Sequence, residues 1–199
     1  MIFNLLKLLS KEELENIKYI EIKKNEILFE EDSTCYNIGI VIKGRLSINS
    51  YSYNGNEIIY SIIDENELFG HNLLFSSTPL YKGNVMALKD SKIALIDKDT
   101  LIFLLQSNKV FLNQYLEILN NNAKSLNSKL KLLSFDNAMD RLLYFLFQNN
   151  NEITINSITE LANRLFLRRE SLSRCISKLK KDNIIKVNTI NNVLNIKKV

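Results

Sequence analysis

The chain has 199 residues, enough for one large domain or two small ones, and its 46% hydrophobic and 24% charged residues are the balance of a soluble globular protein. Its net charge of +4 is unevenly spread: residues 1–108 hold 11 Lys and Arg against 15 Asp and Glu, while residues 109–199 hold 15 against 7. No apolar run approaches the roughly 18–20 residues of a membrane span, and only the basic second part is expected to meet a polyanion.

The amino-terminal stretch "MIFNLLKLLSKEELENIKYIEI" places Leu5, Leu8, Leu9, Leu14 and Ile17 at helical spacing, which predicts an amphipathic helix to about residue 20. It has no small-residue cleavage site and does not read as a signal peptide. A cytoplasmic chain with reduced Cys35 and Cys175 is therefore expected. From Ile20 to about Ile96 the period changes to two. The runs "EILFE", "YNIGIVIKGRLSINSYS", "EIIYSII" and "SKIALID" alternate with turn signals, as in a small antiparallel β-sandwich or roll. Asn54-Gly55 marks the clearest hairpin. The "EEDSTCYN" segment reads as a loop that exposes Cys35.

A long helix follows. Leu112, Leu116, Leu119, Ala123, Leu126, Leu130 and Leu133 recur at alternating spacings of four and three, the stripe of a coiled coil. The positions beside it are mostly Asn, Ser and Lys, so a homodimer through this seam is expected. "DNAMDRLLYFLFQNN" then predicts an apolar helix capped by Asp136, and "EITIN" a short strand. In "SITELANRLF" the Ser157 to Glu160 spacing is that of a capping box.

A second short helix, "LRRESLSRCISKLKK", follows after a tight turn, and "DNIIKVNTINNVLNIKKV" reads as two strands around "NTINN". Two short helices, a tight turn and a hairpin wing make a winged helix-turn-helix. Its core is expected at Ile158, Leu161, Leu165, Leu167, Leu172 and Cys175. The second helix then turns Arg168, Arg169, Glu170 and Arg174 outward at its start. Arginine pairs bidentately with guanine O6 and N7, and glutamate accepts from cytosine N4. Ser157, Thr159 and Ser171 suit phosphate contacts, and Lys178, Lys180 and Lys181 add attraction without sequence preference.

This order of parts resembles the family of the cyclic-AMP receptor protein and the fumarate–nitrate reduction regulator, the Crp/Fnr regulators. The roll matches in "IVIKGRLSINSYSYNGNEIIYSIIDENELFGHNLLF", and the recognition pattern appears as Arg169, Glu170, Ser171 and Arg174. The resemblance implies an α+β chain: a jelly-roll-like β-roll sensor over 1–108, a dimerisation helix over 109–134 and a winged helix-turn-helix over 135–199. It also implies double-stranded DNA as partner, TGTGA-like half-sites, and RNA polymerase as a further contact.

Departures from the family pattern concern the effector. Candidate pocket residues are Gly70, His71, Asn72, Tyr81 and Lys82, with Leu126 and Asn127 where the family sets a polar pair on the long helix. His71 stands at the place of a glutamate, and Tyr81-Lys82 near the place of an Arg-Ser pair that holds a cyclic phosphate. Cyclic AMP is therefore not expected. Two cysteines cannot ligate a four-cysteine iron–sulfur cluster, and one histidine without a nearby cysteine is a thin basis for haem. No cofactor or metal is expected, and the effector is unknown or absent. The family commonly has glycine in the helix turn, at the place of Phe166. A phenylalanine with positive φ would be strained there. A cupin-like metal enzyme would need several histidines and is disfavoured. A constitutive DNA binder with a purely structural roll stays open.

Overall fold

The computed structural model describes residues 5–190 and 193–199. The chain divides into two compact units, Met1–Ile118 and Leu119–Val199. The division falls inside one long helix.

In the first unit, Leu5–Leu8 form a 3₁₀ turn and Lys11–Glu15 a single-turn helix, α1. A full capping box starts α1: the Glu13 amide donates to Ser10 Oγ at 3.2 Å, and the Ser10 amide to Glu13 Oε2 at 2.7 Å. The expected helix to residue 20 ends early, because β1 (Lys18–Ile22) has already begun. Residues 1–4 of that expectation lie outside the described residues. Tyr19 and the alternating residues around it pair in antiparallel register with β8 (Ser91–Asp97), and strand pairing overrides the helical spacing of the leucines.

The remaining strands are β2 (Ile27–Phe29), β3 (Asn37–Lys43), β4 (Leu46–Tyr51), β5 (Glu57–Ile63), β6 (Leu68–Phe69) and β7 (Asn84–Ala87). They make two four-stranded sheets, in the orders β1-β8-β3-β6 and β2-β7-β4-β5. All pairings among the described strands of the two sheets are antiparallel, so the β-roll expected from the alternation is present. Ile38, Ile40, Val41, Leu46, Val85, Ile93 and Ile96 are buried in it. The β4–β5 hairpin turns at Gly55, whose φ is 76°. A ten-residue helix, α2 (Lys98–Ser107), follows β8 directly. Asp97 caps it by accepting from the Thr100 amide and hydroxyl, each at 2.9 Å.

The long helix is α3 (Lys109–Leu133). The second unit continues with α4 (Ala138–Gln148), β9 (Glu152–Ile155), α5 (Ile158–Arg164), α6 (Arg169–Lys181), β10 (Ile185–Ile190) and β11 (Val193–Lys198). The cap of α4 is Asn137, which accepts from the Asp140 amide at 2.9 Å, one residue beyond the expected Asp136. Strands β10, β11 and β9 form an antiparallel sheet in that order, and residues 191–192 lie outside the described residues. Leu132, Leu142, Leu146, Ile155, Leu161, Leu165, Leu172, Leu179 and Ile196 make one apolar core under the helices and the sheet. Of the expected core positions, Leu161, Leu165, Leu172 and Cys175 are buried, while Ile158 and Leu167 are half-buried against that core.

Candidate nucleic-acid interface

The joint between α5 and α6 decides how α6 is presented. Helix α5 ends at Leu165, and the chain reverses through Phe166 with φ 53°. The Phe166 amide donates to Asn163 O at 3.2 Å and the Leu167 amide to Ala162 O at 2.9 Å. Those two bonds define a Schellman ending, in which the residue after the cap takes the left-handed conformation glycine prefers. Phe166 therefore adopts the positive φ itself, and the turn is kept rather than reshaped. The phenyl ring stays half-exposed.

At the end of α6 the same pair of bonds recurs. There the Ile184 amide donates to Leu179 O at 2.9 Å, the Asn183 amide donates to Lys180 O at 3.2 Å, and Asn183 has φ 56°.

Helix α6 buries Leu172, Cys175, Ile176 and Leu179. At 100° per residue, Glu170 and Arg174 fall opposite that stripe, and Arg169 lies to one side on the first turn. Arg168, the cap residue, makes no side-chain capping bond. Arg168, Arg169, Glu170 and Arg174 are all exposed, and none forms an ion pair or hydrogen bond through its side chain among the described residues. Glu170 and Arg174 are four apart, the spacing of a helical ion pair, yet they leave it unmade. The first amides of α6 also have no helical acceptor. Three guanidinium groups, one carboxylate and free amides thus meet solvent at one helix end.

Ser157 caps α5: its Oγ accepts from the Glu160 amide at 3.1 Å. The expected box is only half made, because Glu160 reaches past Ser157 to accept from the Asn156 amide at 3.0 Å. That bond, with the Arg164 guanidinium, holds the Glu160 carboxyl below the usual carboxylate range. Ser157 Oγ acts only as an acceptor here, so its hydroxyl hydrogen can still be donated to a phosphate. Thr159 and Lys178 are exposed, and Ser171 is half-buried. Burial pushes the Cys175 thiol up.

On α3, every residue from 120 to 131 is exposed. Leu126 is 58% exposed and Leu130 57%, and Leu116 and Leu133 are exposed too; Leu112 and Leu119 are half-buried. Ala123 and Asn127 line an open groove of about 410 Å³ with Lys124, Lys131 and Tyr144. Lys131 Nζ lies 5.2 Å from the Tyr144 ring centre. Leu126 is not part of that lining.

The effector candidates of the roll differ in burial. Gly70 needs its φ of 74°, and a Cβ there would fall 2.8 Å from Asn37 O and 3.2 Å from Cys35 Sγ. Tyr81 is a core residue rather than a residue of a pocket mouth. It is 2% exposed and stacks on Phe29 with ring centres 4.9 Å apart. Burial, with Cys35 beside it, pushes its hydroxyl up. Cys35 is itself buried, not exposed, its thiol 3.2 Å from Asn37 O. His71 is half-buried, and burial lowers its imidazole, opposed by a hydrogen bond with the Leu68 backbone. Asn72 and Lys82 are exposed. A cyclic phosphate calls for a guanidinium or clustered amides. Neither a buried tyrosine ring nor the single exposed Lys82 is a guanidinium.

Sequence reasoning missed Arg141. Its guanidinium donates to four backbone carbonyls within the second unit. The signal available was a cation set in the apolar run "RLLYFLF" without a carboxylate one turn ahead of it.

Comparison with known proteins agrees with this architecture. Residues 19–108 match the cyclic nucleotide-binding domain family. A transcriptional regulator from Thermotoga maritima is similar at 27% identity, over 62% of this chain and 96% of its own, with a TM-score of 0.57. The catabolite activator protein of Thermus thermophilus is 17% identical over 98% of this chain and 94% of its own, with a TM-score of 0.56. A CooA variant from Carboxydothermus hydrogenoformans is 19% identical over 98% and 91%, with a TM-score of 0.67. A comparison with curated proteins gives no match. Residues 19–108 thus match a cyclic nucleotide-binding domain, and the fold of the chain is shared with these solved structures.

Proposed function

We propose that this chain is a DNA-binding transcription regulator of the Crp/Fnr type, and not an enzyme, that reads a two-fold symmetric site as a homodimer in the cytoplasm. The observation that carries the reading is the start of α6, where Arg168, Arg169, Glu170 and Arg174 are exposed and unpaired among the described residues. Charged groups left hydrated and without intramolecular partners are free to match the donor and acceptor code of a major groove. The Schellman turn holds α6 as a recognition helix despite Phe166, and the wing and Lys178, Lys180 and Lys181 supply cationic surface for phosphates.

Dimerisation is supported by the leucine seam of α3, which the chain itself leaves uncovered at Leu126 and Leu130. Two recognition helices about 34 Å apart would enter successive major grooves, with RNA polymerase as a further partner. The roll is read as a sensor for an effector other than cyclic AMP, because buried Tyr81 and exposed Lys82 stand near the place of the Arg-Ser pair that the resemblance assigns to the cyclic phosphate. A roll that only supports the dimer is the second reading, favoured by the same packed tyrosine.

The test is selection from randomised duplex DNA by the purified, effector-free protein at near-physiological salt. A symmetric motif with half-sites one helical turn apart is expected, with TGTGA-like half-sites. Arg169→Ala should then relax preference at one base and cost roughly 1–3 kcal/mol. No enrichment by a folded dimer, with or without cell extract, rejects the reading.

A further inference from the structure

Arg141 sits on the first turn of α4 and is half-buried. Its Nε donates to Phe135 O at 2.9 Å, in the link between α3 and α4. One terminal nitrogen, Nη1, donates to Phe166 O at 3.1 Å and Leu165 O at 3.4 Å, in the helix turn. The other, Nη2, donates to Leu133 O at 3.4 Å, the last residue of α3. A guanidinium has five N–H donors in a fixed plane, so one rigid fork spans three separate segments of the second unit.

The chemistry of the acceptors is as telling as their number. Leu133 ends α3 and Leu165 caps α5, so two helix carboxyl ends, each with its partial negative charge, converge on one cation. No carboxylate pairs with Arg141 among the described residues. The two helix ends and the strained carbonyl of Phe166 are its whole counter-charge there. Around the same link, Phe135 and Tyr144 pack with ring centres 5.0 Å apart, and Leu132 is buried in the winged unit's core.

We propose that Arg141 is a positioning residue that clamps the helix-turn-helix to the end of α3, so that the geometry of the seam reaches α6 without a loose joint at 134–137. It rests on the reading of α6 as a recognition helix. It goes beyond that reading in saying where the orientation of α6 is set. Lysine carries its three donors on one nitrogen and cannot place them at the Nε, Nη1 and Nη2 positions that these carbonyls surround, so a charge-preserving exchange should not restore the clamp.

The experiment compares full-length wild type, Arg141→Lys and Arg141→Ala by hydrogen exchange and by DNA binding, with thermal melting as the check on folding. Loss of the clamp should speed exchange of the Phe166 and Leu167 amides at least tenfold, while the Leu146 and Leu172 amides in the core keep their protection. Both variants should lose at least tenfold in affinity for the selected site and keep their weak binding to unrelated duplexes. Where Arg141→Ala does not fold, Arg141→Lys carries the comparison. Unchanged exchange in the turn, or unchanged affinity and preference in Arg141→Lys, overturns the clamp. A wild type that selects no DNA rejects the functional reading instead, and the exchange data then decide the clamp alone.

Discussion

Phe166 concentrates the cost of the helix-turn-helix in one residue. Of the non-glycine residues with positive φ among those described, five are asparagines, one is Asp32, and Phe166 is the remaining one. Asparagine tolerates the left-handed region because its short polar side chain bonds locally; a phenyl group cannot, and pays about 1–2 kcal/mol. Phe166→Gly should therefore raise stability, by about 0.5–1 kcal/mol after the loss of the half-buried ring, in a denaturant melt of the full chain. A lower midpoint would mean that the ring's packing outweighs the backbone strain. His71 is the chain's single histidine, so it alone among side chains should set the pH response between 5 and 7. Its folded pKa lies below 6.5 because burial disfavours the cation. As pH falls through 6.5 the unfolded chain takes up a proton that the folded chain resists, so stability declines until the lowered folded value is passed. His71→Gln should flatten that slope. A slope that survives the substitution would place its origin elsewhere.

The elements show where the sequence could be read and where it could not. Helix α3 was legible because its leucines recur at a spacing of four and three between flanks of Asn, Ser and Lys. Leu126→Ala should weaken the dimer by about 3 kcal/mol, counting both copies, or roughly 100-fold in dissociation constant by sedimentation. No change would remove Leu126 from the interface. Strands β3, β4, β5 and β8 were legible from alternation, and α5 and α6 from cap and charge. Helix α2 was not, since "TLIFLLQ" is a continuous apolar run with no period to read. Strand β7 was too short to alternate visibly. At the amino terminus, the leucines kept helical spacing while "KYIEI" had already switched to two, and pairing with β8 decided the matter. Cys35 was misplaced because burial in a loop depends on what closes over it, here the Gly70 backbone.

At the scale of the whole molecule, the first part of the chain is mildly acidic and the basic charge is gathered with the wing and α6. In the proposed reading, an acidic first part would confine non-specific attraction to DNA to the basic second part. If two copies dock together, inserting five base pairs between selected half-sites turns one of them to the opposite face of the duplex. Binding should then fall to that of a single half-site, and ten inserted pairs should recover more than five do. Equal binding to all three spacings would show that each chain reads alone.

The bare leucines of α3 carry a consequence for dose. A chain that completes its interface only by meeting a copy of itself makes occupancy of its site second order in its own abundance while dimers are scarce. Halving the number of chains would then cut site occupancy by about fourfold rather than twofold. Such a regulator would switch sharply with its own expression even with nothing bound in its roll.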